Sequence, residues 1–592
     1  MVIEEPNVDA VVIGAGASGS LIAAKLAVAG KRTLLLDAGP GWTTADLISS
    51  PIWSRRLKWD AGTTTTGAQP INVGFNAGYG FGGSALHHYA CWFRLHPEDF
   101  RMQSLYGRGQ DWPISYDELR PFYDQVQREM GLSGDATAEV WRPAGDPYPM
   151  PPLAVSQQGE VVAKGFAALG MRTSPMPQAI NSVEYNGRPA CIYDGWCDAG
   201  CPIGALANPL VTYLPQAARA GADIRPMSTV TRILPSQGKR PDRVSGVAYV
   251  NAAGEERLIV ASVVVLAAFS VQTPRLLLAS ATDRFPGGLA NSSGAVGRYM
   301  MAHISGDALG LFPDETAPYS GVTGGSLLCQ DGYDGKAKAD YFGSYQWLIA
   351  RVFKPTDLLG VANTRPELFG ESLHRFLRTA ARRLGAVTLL GEDLPDPDNR
   401  VVLSAERDRF GVPRAVLTHR YAPDTLRLHG AAMKQGKLVL RAAGASEAWA
   451  APMAQQHILG GTIMGTDPAR SVANGFGQAH DHENLFLAGP GLFPTSGAVN
   501  PTFTVSALAL RTADHLVRNW SSSKRLGFHR SIWPAIRWSS KGILLRCEGS
   551  QGLGCSRVRP SGRGRPPASL RIPLAAVEVS IDEKGWKPGL PA

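Results

Sequence analysis

A glycine-rich turn near the start of the chain has the residue types that bind a dinucleotide. Gly14, Gly16 and Gly19 fit the pattern G-x-G-x-x-G. The first glycine allows a tight turn, the second lets the backbone approach a pyrophosphate, and the third lets helix and strand pack closely. Ser18, inside the turn, is also predicted to contact the cofactor, and Asp37 follows near the usual spacing of a carboxylate that binds ribose hydroxyls. The turn predicts a dinucleotide site but does not separate FAD from NAD.

Three clustered cysteines have the chemistry of metal ligands. Cys191, Cys197 and Cys201 follow the spacing C-x5-C-x3-C, whereas the other four of the seven cysteines are scattered. Thiolates are soft ligands suited to iron–sulfur clusters or zinc, and three of them suffice for a [3Fe–4S] cluster. Zinc is disfavoured because no fourth ligand lies at a normal spacing. Reduced or partly paired structural cysteines are an equally open interpretation.

The elements around the glycine-rich turn follow a strand–turn–helix–strand order. Residues 8–13 and 33–36 are short apolar runs of strand length, and residues 20–29 have the apolar spacing of a helix. Gly30 is placed to end that helix. A helix that begins at the turn directs its free N–H groups and positive dipole end at phosphates. The sequence therefore predicts an α/β Rossmann-like domain.

Length and composition indicate an ordinary globular protein of more than one domain. The chain has 592 residues, of which 44% are hydrophobic, and it is too long for one simple core. No run has the length and apolar character of a membrane span. The N-terminus has neither a basic region nor a cleavage site. We therefore expect no transmembrane segment and no targeting signal of its own.

The positive charge of the chain comes from its C-terminal end. Residues 521–592 hold 13 of the 59 Lys and Arg residues and 4 of the 50 Asp and Glu residues, which leaves 46 of each elsewhere. The net charge of +9 therefore gives no argument that the folded body binds nucleic acid. The end is basic and rich in Gly and Pro at residues 557–567. We expect residues 521–592 to be disordered or loosely packed.

Separated blocks of the chain resemble the glucose–methanol–choline (GMC) oxidoreductases. The resemblance implies an FAD-binding Rossmann-like domain that is discontinuous in sequence, together with an α+β substrate domain that contains a large antiparallel sheet. Residues 94–100 and 111–119 resemble the branch formed by the flavoprotein subunits of gluconate, glucose and fructose dehydrogenases. The blocks that carry the resemblance lie at residues 78–89, 94–100, 111–119, 296–303, 456–468, 484–489 and 499–504.

The resemblance also implies which residues contact FAD. His87 occupies the position that carries an 8α-histidyl bond to the flavin in covalently flavinylated members. The alternative is a histidine that only packs on the flavin or hydrogen-bonds to it. The other implied FAD contacts are Gly82, Gly83, Ser84, Val230, Gly489, Asn500, Pro501 and Thr502. The last three open a helix whose N-terminus can point at the flavin.

His457 and Asn500 are the catalytic pair that the resemblance implies. Oxidation of an alcohol requires loss of the hydroxyl proton and transfer of the α-hydrogen as hydride to flavin N5. His457 can take the proton because imidazole titrates near neutrality, and Asn500 can hold the substrate oxygen. Many relatives carry histidine where this chain has Asn500. We expect an FAD-dependent dehydrogenase that oxidises a CH–OH group of a sugar, sugar acid or related alcohol and passes electrons to a non-NAD acceptor.

Two other functions stay open at this point, and the resemblance implies partners. The alternatives are a cytoplasmic oxidase of the pyranose-oxidase type that uses O2 and a flavin-binding protein without turnover. Catalytic subunits of the dehydrogenase branch work with a small subunit and a cytochrome c. In the bacterial glucose dehydrogenases the catalytic subunit carries a [3Fe–4S] cluster. The last cysteine motif of that subunit resembles residues 201–205 of this chain. The protein is then cytoplasmic, or periplasmic and membrane-associated if a partner subunit exports it.

The sequence predicts a loop and several helices, and it divides the chain into six segments. Residues 38–76 are expected to loop over the cofactor, and helices are expected near residues 118–131, 161–169, 210–220, 373–384 and 505–515. The segments are a first part of the FAD domain (1–135), a loop or substrate-domain insertion (136–185), a second part of the FAD domain with the cysteines (186–304), the substrate domain (305–453), a segment that returns to the FAD domain (454–520) and the basic tail (521–592).

Overall fold

The computed structural model describes residues 3–60, 62–236, 240, 242–333 and 335–520. The predicted tail at residues 521–592 lies outside the described residues. Helices α1 to α12 lie, in chain order, at Ala17–Val28, Pro51–Arg56, Val73–Asn76, Met102–Tyr106, Tyr116–Met130, Gln157–Ala168, Tyr213–Arg219, Phe269–Ala279, Asp357–Ala362, Gly370–Arg383, Pro423–Ala442 and Thr502–Arg518. Strands β1 to β18 lie at Ile3–Glu4, Val8–Ile13, Thr33–Leu36, Thr64–Thr66, Ser174–Pro175, Asp223–Arg225, Thr229–Pro235, Val244–Val250, Glu256–Leu266, Met301–Leu311, Leu327–Cys329, Tyr345–Ile349, Leu384–Gly391, Arg400–Arg407, Pro413–Thr418, Glu447–Ala450, Ala454–Leu459 and Leu485–Leu487.

The first sheet joins the two ends of the described chain. Its strand order is β6-β3-β2-β9-β8-β7, and β1 and β18 also pair with β9. The parallel part of the sheet contains β6, β3, β2, β9 and β18. Strand β8 pairs with β9 in the antiparallel direction. Strands β3 and β18 are wholly buried and β2 is mostly buried, as expected for a sheet covered on both faces, whereas β6 at the edge is not. Helices α1 and α12 pack against each other, so the first and last helices of the described chain meet beside this sheet.

The predicted dinucleotide unit is present with small differences in its bounds. Strands β2 and β3 lie where the apolar runs predicted them, but α1 begins at Ala17 instead of residue 20. The helix begins early because Gly16, inside the glycine-rich turn, is itself its N-cap residue. A Cβ atom at Gly19 would overlap the carbonyl oxygen of Gly14, which is the close packing of helix and strand that the motif predicts.

The second sheet is large and antiparallel, as predicted for the substrate domain. Its strand order is β16-β10-β13-β12-β11-β5, and β17 also pairs with β10. Helix α11 packs on β10 and β13, and α6 packs on α11. The long strand β10 carries β13 on one edge and both β16 and β17 on the other. It therefore connects the interior of the second sheet to the segment that contains His457.

The structure differs from the sequence expectation at residues 38–76. This region is predicted as a loop, but it contains α2, α3 and β4. Strand β4 pairs in parallel with β15, which itself pairs with β14, so a third sheet of three strands forms. The prediction failed because the pairing partner of β4 lies far along the chain, where local apolar spacing gives no signal.

The predicted helices are present with shifted bounds. The helix expected at residues 210–220 is shorter, because α7 begins only at Tyr213. Leu210 instead donates its amide N–H to Asn208 Oδ1 in a local turn, at 2.9 Å. No helix in the described ranges is long and apolar enough to cross a bilayer.

Candidate active site

One cavity of about 340 Å³ is lined both by the first glycine-rich turn and by His457. Gly19 and Gly82 do not line it, and both act in packing next to it. The predicted cofactor residues that line the cavity are Gly14, Gly16, Ser18, Asp37, Gly83, Ser84, His87, Val230, Gly489, Asn500, Pro501 and Thr502. Residues from six distant parts of the sequence therefore share one wall.

The two glycine-rich turns contact each other at one end of this cavity. Gly82 has a φ of +90° and donates its N–H to the carbonyl oxygen of Ala15 at 3.0 Å. A Cβ at Gly83 would come within 3.2 Å of Gly16 Cα, whereas a Cβ at Gly16 would meet nothing within 4 Å. Helix α1 has no side-chain cap and no acidic residue in its first turn. These features fit a pyrophosphate at the helix N-terminus.

Asp37, directly after β3, holds the first glycine-rich turn in place by accepting hydrogen bonds from two backbone N–H groups. It is 9% exposed, its Oδ2 accepts the N–H of Ala15 at 2.8 Å, and its Oδ1 accepts the N–H of Gly39 at 2.8 Å. Burial raises the pKa of this carboxyl above its usual value, and the two backbone donors oppose that shift. Each oxygen keeps a further lone pair, so Asp37 can hold the turn and still accept a ribose hydroxyl.

His87 lines the cavity and has one ring nitrogen without a hydrogen-bond partner. The side chain is 8% exposed and its Nε2 atom is buried without a hydrogen-bond partner. Burial lowers the pKa of His87 to about 3, with smaller contributions from Lys58 and His88, so the ring is neutral. A buried polar atom without a partner is rare in folded proteins. His87 is therefore a candidate contact or attachment residue for a bound flavin.

The predicted catalytic residues lie together at the other end of the cavity. Asn500 Nδ2 lies 3.4 Å from His457 Nε2. Asn500 Oδ1 accepts a hydrogen bond from Gln346 Nε2 at 3.3 Å, and Gln346 Oε1 accepts one from Gln330 Nε2 at 2.8 Å. This chain of amides turns the Nδ2 group of Asn500 toward the imidazole. Asn500 also precedes α12, whose N-terminus has no side-chain cap.

A β-bulge positions the imidazole of His457. On the edge of β10, Gln456 pairs with His303 and Ile458 pairs with Ala302, so His457 between them has no partner. His457 has a φ of +59°, and its N–H donates to Asn76 Oδ1 at 2.8 Å instead of to the ladder. A β-bulge changes the direction of one side chain. The left-handed backbone conformation of a non-glycine residue such as His457 costs about 1–3 kcal/mol.

The environment of His457 keeps it unprotonated at neutral pH. Burial lowers the pKa of His457 well below its ordinary value, and the neighbouring His303 lowers it further. A neutral imidazole is the form that accepts a proton. Sequence reasoning missed Asn76, Gln346 and the role of His303, because each contacts the pair only through the tertiary fold.

The three predicted cluster ligands lie outside the cavity lining. Cys197 is buried, and the sulfurs of Cys191 and Cys201 accept the N–H groups of Tyr193 at 3.3 Å and Leu206 at 3.4 Å. In the described part of the chain no cysteine is in a disulfide, and no group of three His, Cys, Asp or Glu side chains is placed to hold a metal ion. These residues do not fit a cluster in this conformation, and we derive no step through one.

Comparison with known proteins gives matches over most of the chain. Two family models described as GMC oxidoreductase match residues 8–305 and 395–509. The fructose dehydrogenase large subunit of Gluconobacter japonicus is 32% identical over 551 residues, which cover 87% of this chain and 99% of that protein. The 2-methyl-1,2-propanediol dehydrogenase of Mycolicibacterium austroafricanum is 32% identical over 552 residues, which cover 88% of this chain and 97% of that protein.

A solved structure has the same fold. The crystal structure of pyridoxine 4-oxidase from Mesorbium loti matches with a TM-score of 0.59 at 19% identity, and the match covers 86% of this chain and 99% of that one. At this identity the likeness concerns the fold alone. It confirms the prediction of a Rossmann-like domain joined to a sheet-rich α+β domain.

Proposed function

The chain belongs to the GMC oxidoreductase family, as an FAD-dependent enzyme of the alcohol and sugar class, and we propose that it oxidises a CH–OH group of a sugar, sugar acid or related alcohol. The observation that carries this proposal is the pair His457 and Asn500, 3.4 Å apart, at the end of a cavity that also reaches both glycine-rich turns. When FAD is bound, its N5 atom supplies a hydride acceptor.

In this proposal His457 and Asn500 have different roles at the substrate hydroxyl: one accepts its proton and the other donates a hydrogen bond to its oxygen. His457 is neutral, so its Nε2 can accept the hydroxyl proton. Asn500 can donate from Nδ2 to the same oxygen, because Gln346 already occupies its Oδ1 atom. This donor stabilises the negative charge that develops on the oxygen as the proton leaves. The aromatic side chains of Phe75 and Trp59 line the same cavity.

The remaining cavity residues hold the cofactor in this proposal. The free N–H groups at the start of α1 bind the pyrophosphate, and Asp37 accepts the ribose hydroxyls. Pro501 and Thr502 place the positive end of α12 at the flavin end of the cavity. His87 is the proposed attachment residue for a covalent flavin, and the support for this role is its unpartnered Nε2 atom.

We further propose that electrons leave through a partner and not to NAD. The support is similarity to a protein whose name marks it as the large subunit of fructose dehydrogenase, hence one chain of a larger enzyme. A small subunit and a cytochrome c are the proposed partners, which would place the enzyme in the periplasm or at a membrane. The described geometry does not support the predicted cluster at Cys191, Cys197 and Cys201. Iron and acid-labile sulfide analysis of anaerobically purified protein tests that prediction, and the absence of both overturns it.

The function is tested by anaerobic reduction of the enzyme-bound flavin. A panel of sugars, sugar acids and simple alcohols is added to the purified yellow enzyme, and loss of flavin absorbance is followed. We expect at least one sugar or polyol to bleach the flavin without NAD. Substrate turnover with an artificial acceptor but without peroxide under air supports the dehydrogenase, whereas peroxide formation supports an oxidase. A preparation that binds FAD but is bleached by no alcohol contradicts the proposed function.

A further inference from the structure

His303 contacts His457 on the side of the ring that faces away from Asn500. The Nδ1 atoms of the two histidines lie 3.1 Å apart, and the rings are nearly perpendicular, at 83°. His303 is fully buried in β10 and does not line the cavity, so it cannot touch a substrate there. It can act only through His457.

The second nitrogen of His303 fixes where its proton lies. His303 Nε2 is 3.2 Å from the carbonyl oxygen of Ser496 and 3.0 Å from that of Gly497. Carbonyl oxygens only accept hydrogen bonds, so Nε2 must carry the hydrogen. Burial lowers the pKa of His303 to about 4, which keeps the ring neutral. A neutral imidazole has one N–H, and therefore Nδ1 of His303 is bare.

The bare nitrogen of His303 in turn fixes the tautomer of His457. A 3.1 Å contact between two Nδ1 atoms requires one shared hydrogen, and His303 does not supply it. Nδ1 of His457 must donate, which leaves Nε2 of neutral His457 bare. The contact on the other side agrees, because Asn500 Nδ2 is a donor and can donate only to a bare nitrogen.

We propose that His303 is a positioning residue that holds His457 in the tautomer with hydrogen on Nδ1, so that Nε2 is free to take the proton of the alcohol. The inference rests on the proposed function for the last step alone. The arrangement of the two rings stands on the contacts of His303 with the Ser496 and Gly497 carbonyls.

The loop that carries those two carbonyls is itself held by buried groups on both sides. The hydroxyl of Ser496 accepts the N–H of Asp393 at 3.0 Å, and the hydroxyl of Tyr333 accepts the N–H of Ala498 at 2.9 Å. Tyr333 donates to Asp99 Oδ2 at 2.7 Å. Asp99 also pairs with a buried lysine, so the loop that carries the carbonyls is fixed on both sides. In metal sites, outer groups of this kind fix the tautomer of the ligating histidine.

Two substitutions separate the two hydrogen bonds of His303. His303→Asn places an amide oxygen near the Nδ1 position and keeps an acceptor for His457. His303→Gln places its amide near the Nε2 position, keeps a donor to the carbonyls and removes the acceptor. At saturating substrate we expect flavin reduction to be about 100-fold slower in His303→Gln and less than about 10-fold slower in His303→Asn, with unchanged substrate affinity in both. Equal losses in the two variants overturn the proposal.

A readout that needs no turnover keeps this inference apart from the proposed function. The FAD-loaded enzyme is labelled with 15N-histidine, and the His457 signals are assigned by their loss in His457→Ala. We expect Nδ1 of His457 to carry hydrogen and Nε2 to be bare in the wild type and in His303→Asn. A wild-type spectrum with hydrogen on Nε2 overturns the proposal. If the tautomer is as expected but no alcohol reduces the flavin, the proposed function fails and the positioning role stands.

Discussion

The amide of Gly82 donates to the carbonyl oxygen of Ala15 at 3.0 Å, so two glycine-rich turns from different parts of the chain form one continuous surface. Gly16 and Gly83 lie side by side at this contact, where a Cβ on Gly83 would come within 3.2 Å of Gly16 Cα. The first turn belongs to the dinucleotide unit, and the second leads to His87. A single hydrogen bond thus joins the proposed phosphate contact to the proposed flavin contact.

Substitution of Gly16 by valine is expected to remove FAD without unfolding the protein. A Cβ at Gly16 meets nothing within 4 Å, so the side chain fits the protein but occupies the place proposed for the pyrophosphate. Flavin absorbance per polypeptide measures the loss, and thermal unfolding measures the fold. Gly430→Val is the control, because Gly430 in α11 is equally open and lies off the cavity. Full FAD content in Gly16→Val contradicts the proposed phosphate site.

Removal of the His457 imidazole is expected to slow flavin reduction by about 100-fold or more, because the proton of the alcohol then has no acceptor. Stopped-flow absorbance of the flavin under anaerobic conditions measures the rate. The control is His374→Ala, which removes an exposed histidine on α10 and is expected to leave the rate unchanged. Flavin reduction at the wild-type rate in His457→Ala refutes its assignment as the base.

Exchange of Asn500 for aspartate is expected to move the pH dependence of the reaction upward. The pKa of His457 lies well below its ordinary value, so the wild-type base is neutral and the rate stays flat across neutral pH. A carboxylate at the Asn500 position, about 3.4 Å from Nε2, stabilises the imidazolium and raises its pKa. Protonated His457 cannot accept a proton, so the acid limb of the rate profile moves to higher pH.

The measurement is the rate of flavin reduction at saturating substrate from about pH 5 to about pH 9. Asn500→Ala serves as the control, because it removes the donor without adding charge and is expected to lower the rate without moving the limb. An Asn500→Asp profile with the wild-type limb shows that His457 is not the titrating base.

His87 is expected to keep the flavin on the denatured wild-type protein. His87 lines the cavity, and its buried Nε2 has no hydrogen-bond partner in the described structure. After acid precipitation the yellow colour is expected in the wild-type pellet and in the supernatant of His87→Ala. Wild-type colour found entirely in the supernatant removes the covalent bond and leaves His87 as a packing contact.

Replacement of Lys336 by methionine is expected to destabilise the protein by about 3–5 kcal/mol, because it strands buried negative charge. Lys336 Nζ lies 2.8 Å from both Asp99 Oδ1 and Glu392 Oε2, and all three side chains are 1% exposed. The shift of the urea unfolding midpoint measures the effect. Lys434→Met, at an exposed position on α11, is the matched control and is expected to change stability by less than about 0.5 kcal/mol. Equal midpoints for the two variants contradict this account.

The sequence predicts those parts of the site that depend on local spacing. Strands β2 and β3 and the glycine-rich turn follow from apolar runs and glycines within thirty residues of each other. The bulge at His457 does not, since it exists only where β17 meets β10. The same holds for the bond from His457 to Asn76 and for the parallel pairing of β4 with β15. Resemblance located the proposed catalytic pair, and the fold adds the contacts of His303 from which its tautomer is inferred.

Strand β18 fixes the order in which this enzyme can be completed during synthesis. It pairs in parallel with β9 at Leu485–Leu487, directly before the loop that leads to Asn500. A nascent polypeptide that has not yet emerged past this point leaves one side of the nucleotide-binding half uncovered. The sheet and the cavity beside it are therefore complete only when residues from both ends of the described chain are present.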